Sequence, residues 1–202
     1  MTLRKTTTLF LVLLLLSASA ALAGLAPGDT APGFTLTDTE GLEVTLQDFL
    51  DEGMIVVLEW FNPDCPFIKK HHLNNKTMNE TFAEFAELGV VWLAINSGAP
   101  GNQGAGLERN QQAVEQYEIP FPVLLDESGD VGRSYGAKTT PHMFIIAPEG
   151  IIVYNGAIDD NRSAETLGDI NYVAAALTEM AAEEEISAAE TQPYGCSVKY
   201  AE

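Results

Sequence analysis

Trp60-Phe61-Asn62-Pro63-Asp64-Cys65-Pro66-Phe67 is the stretch that decides how this chain is read. Just before it, Met54 to Glu59 is dense in β-branched and aliphatic residues, the pattern of a strand buried on both faces. Just after it the pattern turns helical. Pro66 suits the first helical position, where its missing N–H is no loss. Cys65 therefore falls at a strand-to-helix junction, on the N-terminus of the helix. Unpaired backbone N–H groups and the helix dipole favour a thiolate there. Lys69, one turn further on, supports that charge, and the neighbouring Asp64 opposes it. A cysteine so placed is set for reactivity; the bland alternative is a thiol that only packs.

Working outward, Phe34–Thr37 and Leu42–Thr45 alternate apolar and polar residues around Asp38-Thr39-Glu40-Gly41, which predicts a hairpin. Thr45 is placed to cap a short helix from Leu46 to Asp51. Phe82, Phe85, Ala86 and Leu88 form a partial helical stripe that Gly89 ends. Val90–Asn96 reads as a second buried strand and 97–106 as a Gly/Asn/Pro loop. A helix follows over Leu107–Tyr117, then a strand over Phe121–Asp126 and a short helix or turn at 129–136. Phe144–Ala147 and Ile151–Tyr154 flank Pro148-Glu149-Gly150 as an antiparallel hairpin. Asn171 to about Glu183 is the last helix, and the tail from Ser187 is irregular as far as Cys196. The order is β-α-β-α-β, then β-β-α. The early strands should be parallel with helices on both faces, and the late hairpin adds antiparallel strands at one side. The predicted class is α/β: a mixed central sheet between helical layers, the thioredoxin architecture, with an N-terminal hairpin as an extension.

The N-terminus reads as a processing signal. Arg4 and Lys5 are followed by the apolar run Leu9–Leu16 and by Ala21-Leu22-Ala23, a small-x-small site before Gly24. Residues 1–23 are read as a signal peptide and 24–202 as one domain, exported to the periplasm or secreted. The alternative is an uncleaved anchor. The formal charge is −19, and loss of Arg4 and Lys5 takes it to −21. Such an acidic chain does not hold nucleic acid by neutralising phosphates. The acidic clusters, Asp159-Asp160 and Glu183-Glu184-Glu185, read as solvated faces or helix ends. The two cysteines, Cys65 and Cys196, allow a structural bridge, a catalytic pair or two unrelated thiols.

Three segments together resemble the thioredoxin superfamily, and most closely its redoxin branch, the peroxiredoxin-like relatives of alkyl hydroperoxide reductase and thiol-specific antioxidant. The first is Asn62-x-x-Cys65-Pro66 with Phe67, Ile68 and Lys69. Thioredoxins carry Cys-x-x-Cys here and peroxiredoxins Thr-x-x-Cys followed by Pro. One peroxiredoxin-like branch has Cys-x-x-Cys-Pro, then aromatic, aliphatic and Lys. The second is Thr139-Thr140-Pro141-His142, preceded by Gly132-Arg133-Ser134-Tyr135-Gly136. In the superfamily a cis-proline at this place faces the active cysteine. The third is Tyr194-Gly195-Cys196-Ser197-Val198-Lys199-Tyr200, similar to the Gly-Cys-x-aliphatic-Lys-aromatic end of related chains. The chain departs from the family in lacking a second cysteine at Asn62, the upstream Pro and Thr of peroxiredoxins, and their arginine before the late strand. Arg133 is the one candidate to replace that arginine.

The resemblance implies a thiol-dependent oxidoreductase with Cys65 attacking a peroxide or a disulfide and Cys196 resolving the product. Trp60, Asn62, Thr140 and Pro141 would form the pocket, with Asn62 hydrogen-bonding near the sulfur. No cofactor and no metal are expected; the partner is an external thiol reductant, another thioredoxin-like protein being one candidate. The tail around Cys196, preceded by Gly195, is expected to move at little cost in packing. Two other readings stand beside this one. A copper-type metal module would use Cys65, His142 and His72, although His71, His72 and His142 read better as surface or supporting residues. A non-catalytic redoxin scaffold would hold a structural Cys65–Cys196 bridge.

Overall fold

The N-terminal hairpin forms as β1 (Thr35–Asp38) and β2 (Glu43–Thr45), followed by the short helix α1 (Leu46–Asp51). These come from a computed structural model that describes residues 24–202. The signal-peptide reading of residues 1–23 lies outside the described residues. Thr45 stands at the N-cap of α1 without capping it through its side chain. Its hydroxyl pairs instead across the hairpin with that of Thr35, at 3.0 Å.

The apolar run before the cysteine forms β3 (Ile55–Trp60). The chain then turns into α2 (Pro66–Lys69), which widens at once into a π-helical turn over Lys70–Asn74. Next come α3 (Thr77–Phe85), β4 (Val90–Asn96), α4 (Leu107–Tyr117), β5 (Val123–Leu125) and α5 (Asp130–Tyr135). The C-terminal part holds β6 (Thr139–Thr140), β7 (Met143–Ile146), β8 (Ile152–Gly156), α6 (Tyr172–Ala181) and β9 (Cys196–Ser197). The tail is irregular as far as Cys196, where it closes as a strand on β6.

Seven strands make one mixed sheet in the order β2-β1-β5-β4-β3-β7-β8. The pairs β3–β4 and β4–β5 are parallel, because each is joined through helices, and β7 runs antiparallel to β3. This is the thioredoxin fold with a hairpin extension. β3 lies inside the sheet, and alternation along it feeds two cores. Val57, with Phe61 just beyond the strand, joins Cys65, Ile68 and Trp92 on one face. Val56, Leu58 and Trp60 join Tyr135, Phe144 and Ile146 on the other. Each fully buried aliphatic or aromatic side chain contributes about 1.5–3 kcal/mol.

Candidate functional site

Cys65 sits at the N-cap of α2 in extended conformation, with Pro66 next in the first turn. Its N–H donates to Asn62 O at 3.0 Å, closing the turn between strand and helix. Cys65 is 2% exposed. Its thiol donates to the backbone carbonyl of Thr140 at 3.0 Å, and the Thr140-Pro141 peptide bond is cis. The residues that read as a site at 65 and 140–141 thus meet, although 75 positions apart.

Cys196 is brought to the same residue. In the β6–β9 pairing Thr140 lies opposite Cys196, and Thr139 opposite Ser197. Both cysteines are free thiols. Burial pushes the Cys196 thiol up to about 12; a hydrogen bond to Cys65 and the Cys65 charge add to this, and Lys199 opposes it.

Other expected site residues are used differently. Trp60 is not a wall of this pocket. It points to the opposite face of the sheet, with its ring against Tyr135 and Phe144 and its indole N–H on Ser97 Oγ at 3.1 Å. The cause is the two-residue period of β3, which sends neighbours Trp60 and Phe61 to opposite cores. Asn62 does not hydrogen-bond the sulfur either. Its Oδ1 accepts the Asp64 N–H at 2.9 Å and its Nδ2 donates to Gln103 O at 3.0 Å. Its role is to bind the cysteine loop to the 97–106 loop. Gly104 is glycine for that reason: its φ is +77°, and a Cβ there would run into Asn62 Oδ1. Arg133 is spent on Ser128 O and Ala201 O, with its guanidinium over the Tyr200 ring, and so does not supply the missing arginine.

Asp64 is neutralised by a partner that spacing does not reveal. Arg109, on α4, donates from Nε (3.0 Å) and from a terminal nitrogen (2.8 Å) to Asp64 Oδ1. The negative charge beside Cys65 is thereby offset.

The three histidines are buried rather than on the surface. Three successive residues of a helical turn point in widely separated directions, so burying Lys70, His71 and His72 together in the π-helical turn needs polar partners on two sides. His72 Nε2 meets Glu59 Oε1 at 2.8 Å, and Trp92 donates to Glu59 Oε2 at 3.0 Å. Lys70 and His71 turn instead toward the tail. Lys70 Nζ lies 3.0 Å from Asp159 Oδ2, 2.8 Å from Asn161 O and 3.1 Å from Tyr194 Oη. His71 Nε2 lies 3.0 Å from the same hydroxyl, which also donates to Asp159 Oδ1. Asp159 is thus a buried counter-ion and not part of a solvated face. Burial opposes its charge, but Tyr194 O–H, Gly168 N–H and Lys70 hold it below the usual carboxylate range. Sequence offered one signal for this cluster, the unbroken polar run Lys69-Lys70-His71-His72 inside a helix that follows a buried strand.

His142 Nδ1 accepts the Lys138 N–H at 3.3 Å, so its Nε2–H donates to Asn155 Oδ1 at 2.7 Å. It does not face Cys65. Among the described residues no three His, Cys, Asp or Glu side chains are grouped to hold a metal ion. The copper-type module of Cys65, His142 and His72 is therefore not assembled.

Burial lowers His142 to about 4 and His71 to about 3, from 6.5. As pH falls the unfolded chain takes up these protons first, so the contribution is full above about 6.5 and declines below it. For His142 the decline runs to about pH 4 and amounts to on the order of 3 kcal/mol. The thermal midpoint should fall through this window, and His142→Gln should show a shallower fall. Equal slopes for the two proteins would remove His142 from the acid response.

A cysteine at a strand-to-helix junction, facing a cis-proline loop at one end of a mixed sheet, defines a redoxin of the thioredoxin fold. Residues 27–155 match the AhpC/TSA family, and the chain belongs to that family. It is 29% identical over 126 residues to thiol-disulfide oxidoreductase ResA of Bacillus thuringiensis subsp. konkukian. That match covers 62% of this chain and 66% of ResA. Among solved structures it is similar to the hypothetical protein SMc02350 of Sinorhizobium meliloti 1021, at 26% identity and a TM-score of 0.79, over 89% of this chain and 97% of that one. An uncharacterized conserved protein of Geobacillus kaustophilus is similar at 27% identity and a TM-score of 0.78, over 87% of this chain and 92% of that one.

Proposed function

We propose that this protein is an exported thiol-dependent oxidoreductase in which Cys65 attacks the oxidant and Cys196 resolves the product. One observation carries the reading: the Thr140 carbonyl accepts the Cys65 thiol while the Thr140 backbone pairs in register with Cys196. A single residue of the cis-proline loop thus borders Cys65 through its carbonyl and Cys196 through its strand pairing.

With a peroxide, the Cys65 thiolate bonds to the terminal oxygen as the O–O bond breaks. The other oxygen leaves with a proton as water or an alcohol, and Cys65 becomes a sulfenic acid. Cys196 then attacks the Cys65 sulfur, the S–O bond breaks, water leaves and a Cys65–Cys196 disulfide forms. With a disulfide as oxidant, Cys65 forms the mixed disulfide and Cys196 displaces the second thiol. The likeness to thiol-disulfide oxidoreductase ResA supports this second route. In both routes an external dithiol, such as another thioredoxin-like protein, returns two electrons.

Export is supported by Arg4 and Lys5, the apolar run and the Ala21-Leu22-Ala23 site.

Cys196→Ser is the test. The variant should complete one turnover and stop, with Cys65 held as a sulfenic acid or mixed disulfide readable by mass spectrometry. Continued turnover with the same reductant and no trapped species would take Cys196 out of the mechanism.

A further inference from the structure

The short sheet β6–β9 occupies an edge that chemistry would otherwise leave open. β6 is two residues long and borders Cys65 directly, since Thr140 O accepts the Cys65 thiol. An unpaired strand edge beside a reactive sulfur is a docking rail for an extended chain, which pairs its backbone with the edge and brings a side chain to the sulfur. Here the protein's own β9 lies on that rail, and the side chain delivered to the sulfur is Cys196.

The occupancy is tight. Gly195, at φ +139°, packs against Thr140 so closely that an added Cβ would run into the Thr140 carbonyl. The side of β6 that pairs with β9 is therefore filled, and Cys65 beside it is buried.

The strand is also fastened on both sides of Cys196, so the tail is not the freely moving segment its glycine suggested. Before it, Tyr194 is buried, its hydroxyl shared by Lys70, His71 and Asp159 and its ring edge-on to Phe67, 5.6 Å between centroids. After it, Val198 N–H donates to Lys138 O at 3.2 Å and Ala99 N–H to Lys199 O at 2.8 Å.

We infer that β9 is a built-in occupant of the peptide-docking edge, latched by Tyr194, and that while latched it bars extended peptides from Cys65 but admits small oxidants. This deepens the proposed redox reading and rests on Cys65 being its reactive thiol. Tyr194 and Gly195 are positioning residues: they act through the strand that carries Cys196 and touch no substrate. Specificity of this kind is an exclusion built by the fold, not an attraction built for the substrate.

The test uses the full chain with Cys196→Ser, which leaves one thiol and keeps the strand. Two probes are compared: hydrogen peroxide, and an extended peptide whose single cysteine is in a mixed disulfide with thionitrobenzoate. In the second, the Cys65 sulfur bonds to the peptide sulfur as the thionitrobenzoate thiolate leaves, giving a colour change. Adding Tyr194→Phe should raise the peptide rate by ~10-fold or more, because a lost bond to charged partners shifts the docked population by about that factor, and Gly195→Ala should raise it too, because its Cβ would run into Thr140 O and push β9 off. The peroxide rate should stay within about 3-fold, since the chemistry at Cys65 is unchanged. Amide exchange at Val198 should quicken in the same variants.

A peptide rate that is already fast with the latch intact, or that does not rise in either variant despite faster exchange at Val198, would overturn the inference. So would equal acceleration of both probes, which would make β9 a general lid. If Cys65 reacts with neither probe in any variant while Val198 exchange still responds to Tyr194→Phe, the latch exists but guards no redox thiol. The proposed function then fails, and the specificity role with it.

Discussion

Replacing Cys65 with serine should lower turnover by at least ~1,000-fold and leave the fold in place, because a serine hydroxyl stays un-ionised where a thiolate is needed. The structural cost is small for a stated reason. Cys65 already donates to Thr140 O, and a serine hydroxyl can donate to the same carbonyl. The side chain is buried, so the substitution mainly exchanges a large soft atom for a smaller one, a cost of about 1 kcal/mol. Activity and stability therefore separate in this variant. A thermal midpoint close to wild type with turnover undetectable is the expected pair of results. Retained turnover in a well-folded Cys65→Ser protein would move the chemistry off this residue altogether.

The second large effect concerns stability and lies behind the tail. Asp159→Ala should cost about 3–5 kcal/mol, the usual result of leaving one partner of a buried ion pair alone. Lys70 is wholly buried, and without Asp159 its ammonium keeps only Asn161 O and the Tyr194 hydroxyl. The backbone N–H groups of Gly168 and Asn161 lose their acceptor as well. Removing the charge as well should relieve much of this. The double variant Lys70→Met/Asp159→Ala is expected to be more stable than Asp159→Ala alone in urea unfolding, since an apolar side chain of similar length needs no counter-ion. A single variant that loses less than about 1 kcal/mol would show that Lys70 finds water or another partner, contrary to the buried geometry.

What can be read along the chain and what cannot divide by the range of the interaction. Strand and helix signals are local, so β4 at Val90–Asn96 and α4 at Leu107–Tyr117 fall where periodicity puts them. The strand-to-helix junction around Cys65 is equally local, since Pro66 and the β-branched run before it suffice to place it. The face a side chain takes at the end of a strand is set by its pairing register, which is why Trp60 reads as a pocket residue yet packs in the opposite core with Tyr135 and Phe144. The same holds for Asn62, whose amide is claimed by a loop some forty residues on.

By itself, the sequence determined the α/β order, the junction that exposes Cys65 to the helix N-terminus and the Thr-Thr-Pro turn ahead of a buried strand. Each rests on backbone preferences that act within a few residues. Only the tertiary structure decided that Cys196 lies opposite Thr140, that Tyr194 is seated on Lys70, His71 and Asp159, and that the tail is latched. Those contacts join segments roughly 35 to 124 positions apart. A buried charge accepts whichever partner the packed chain delivers, and no spacing in the sequence encodes that partner.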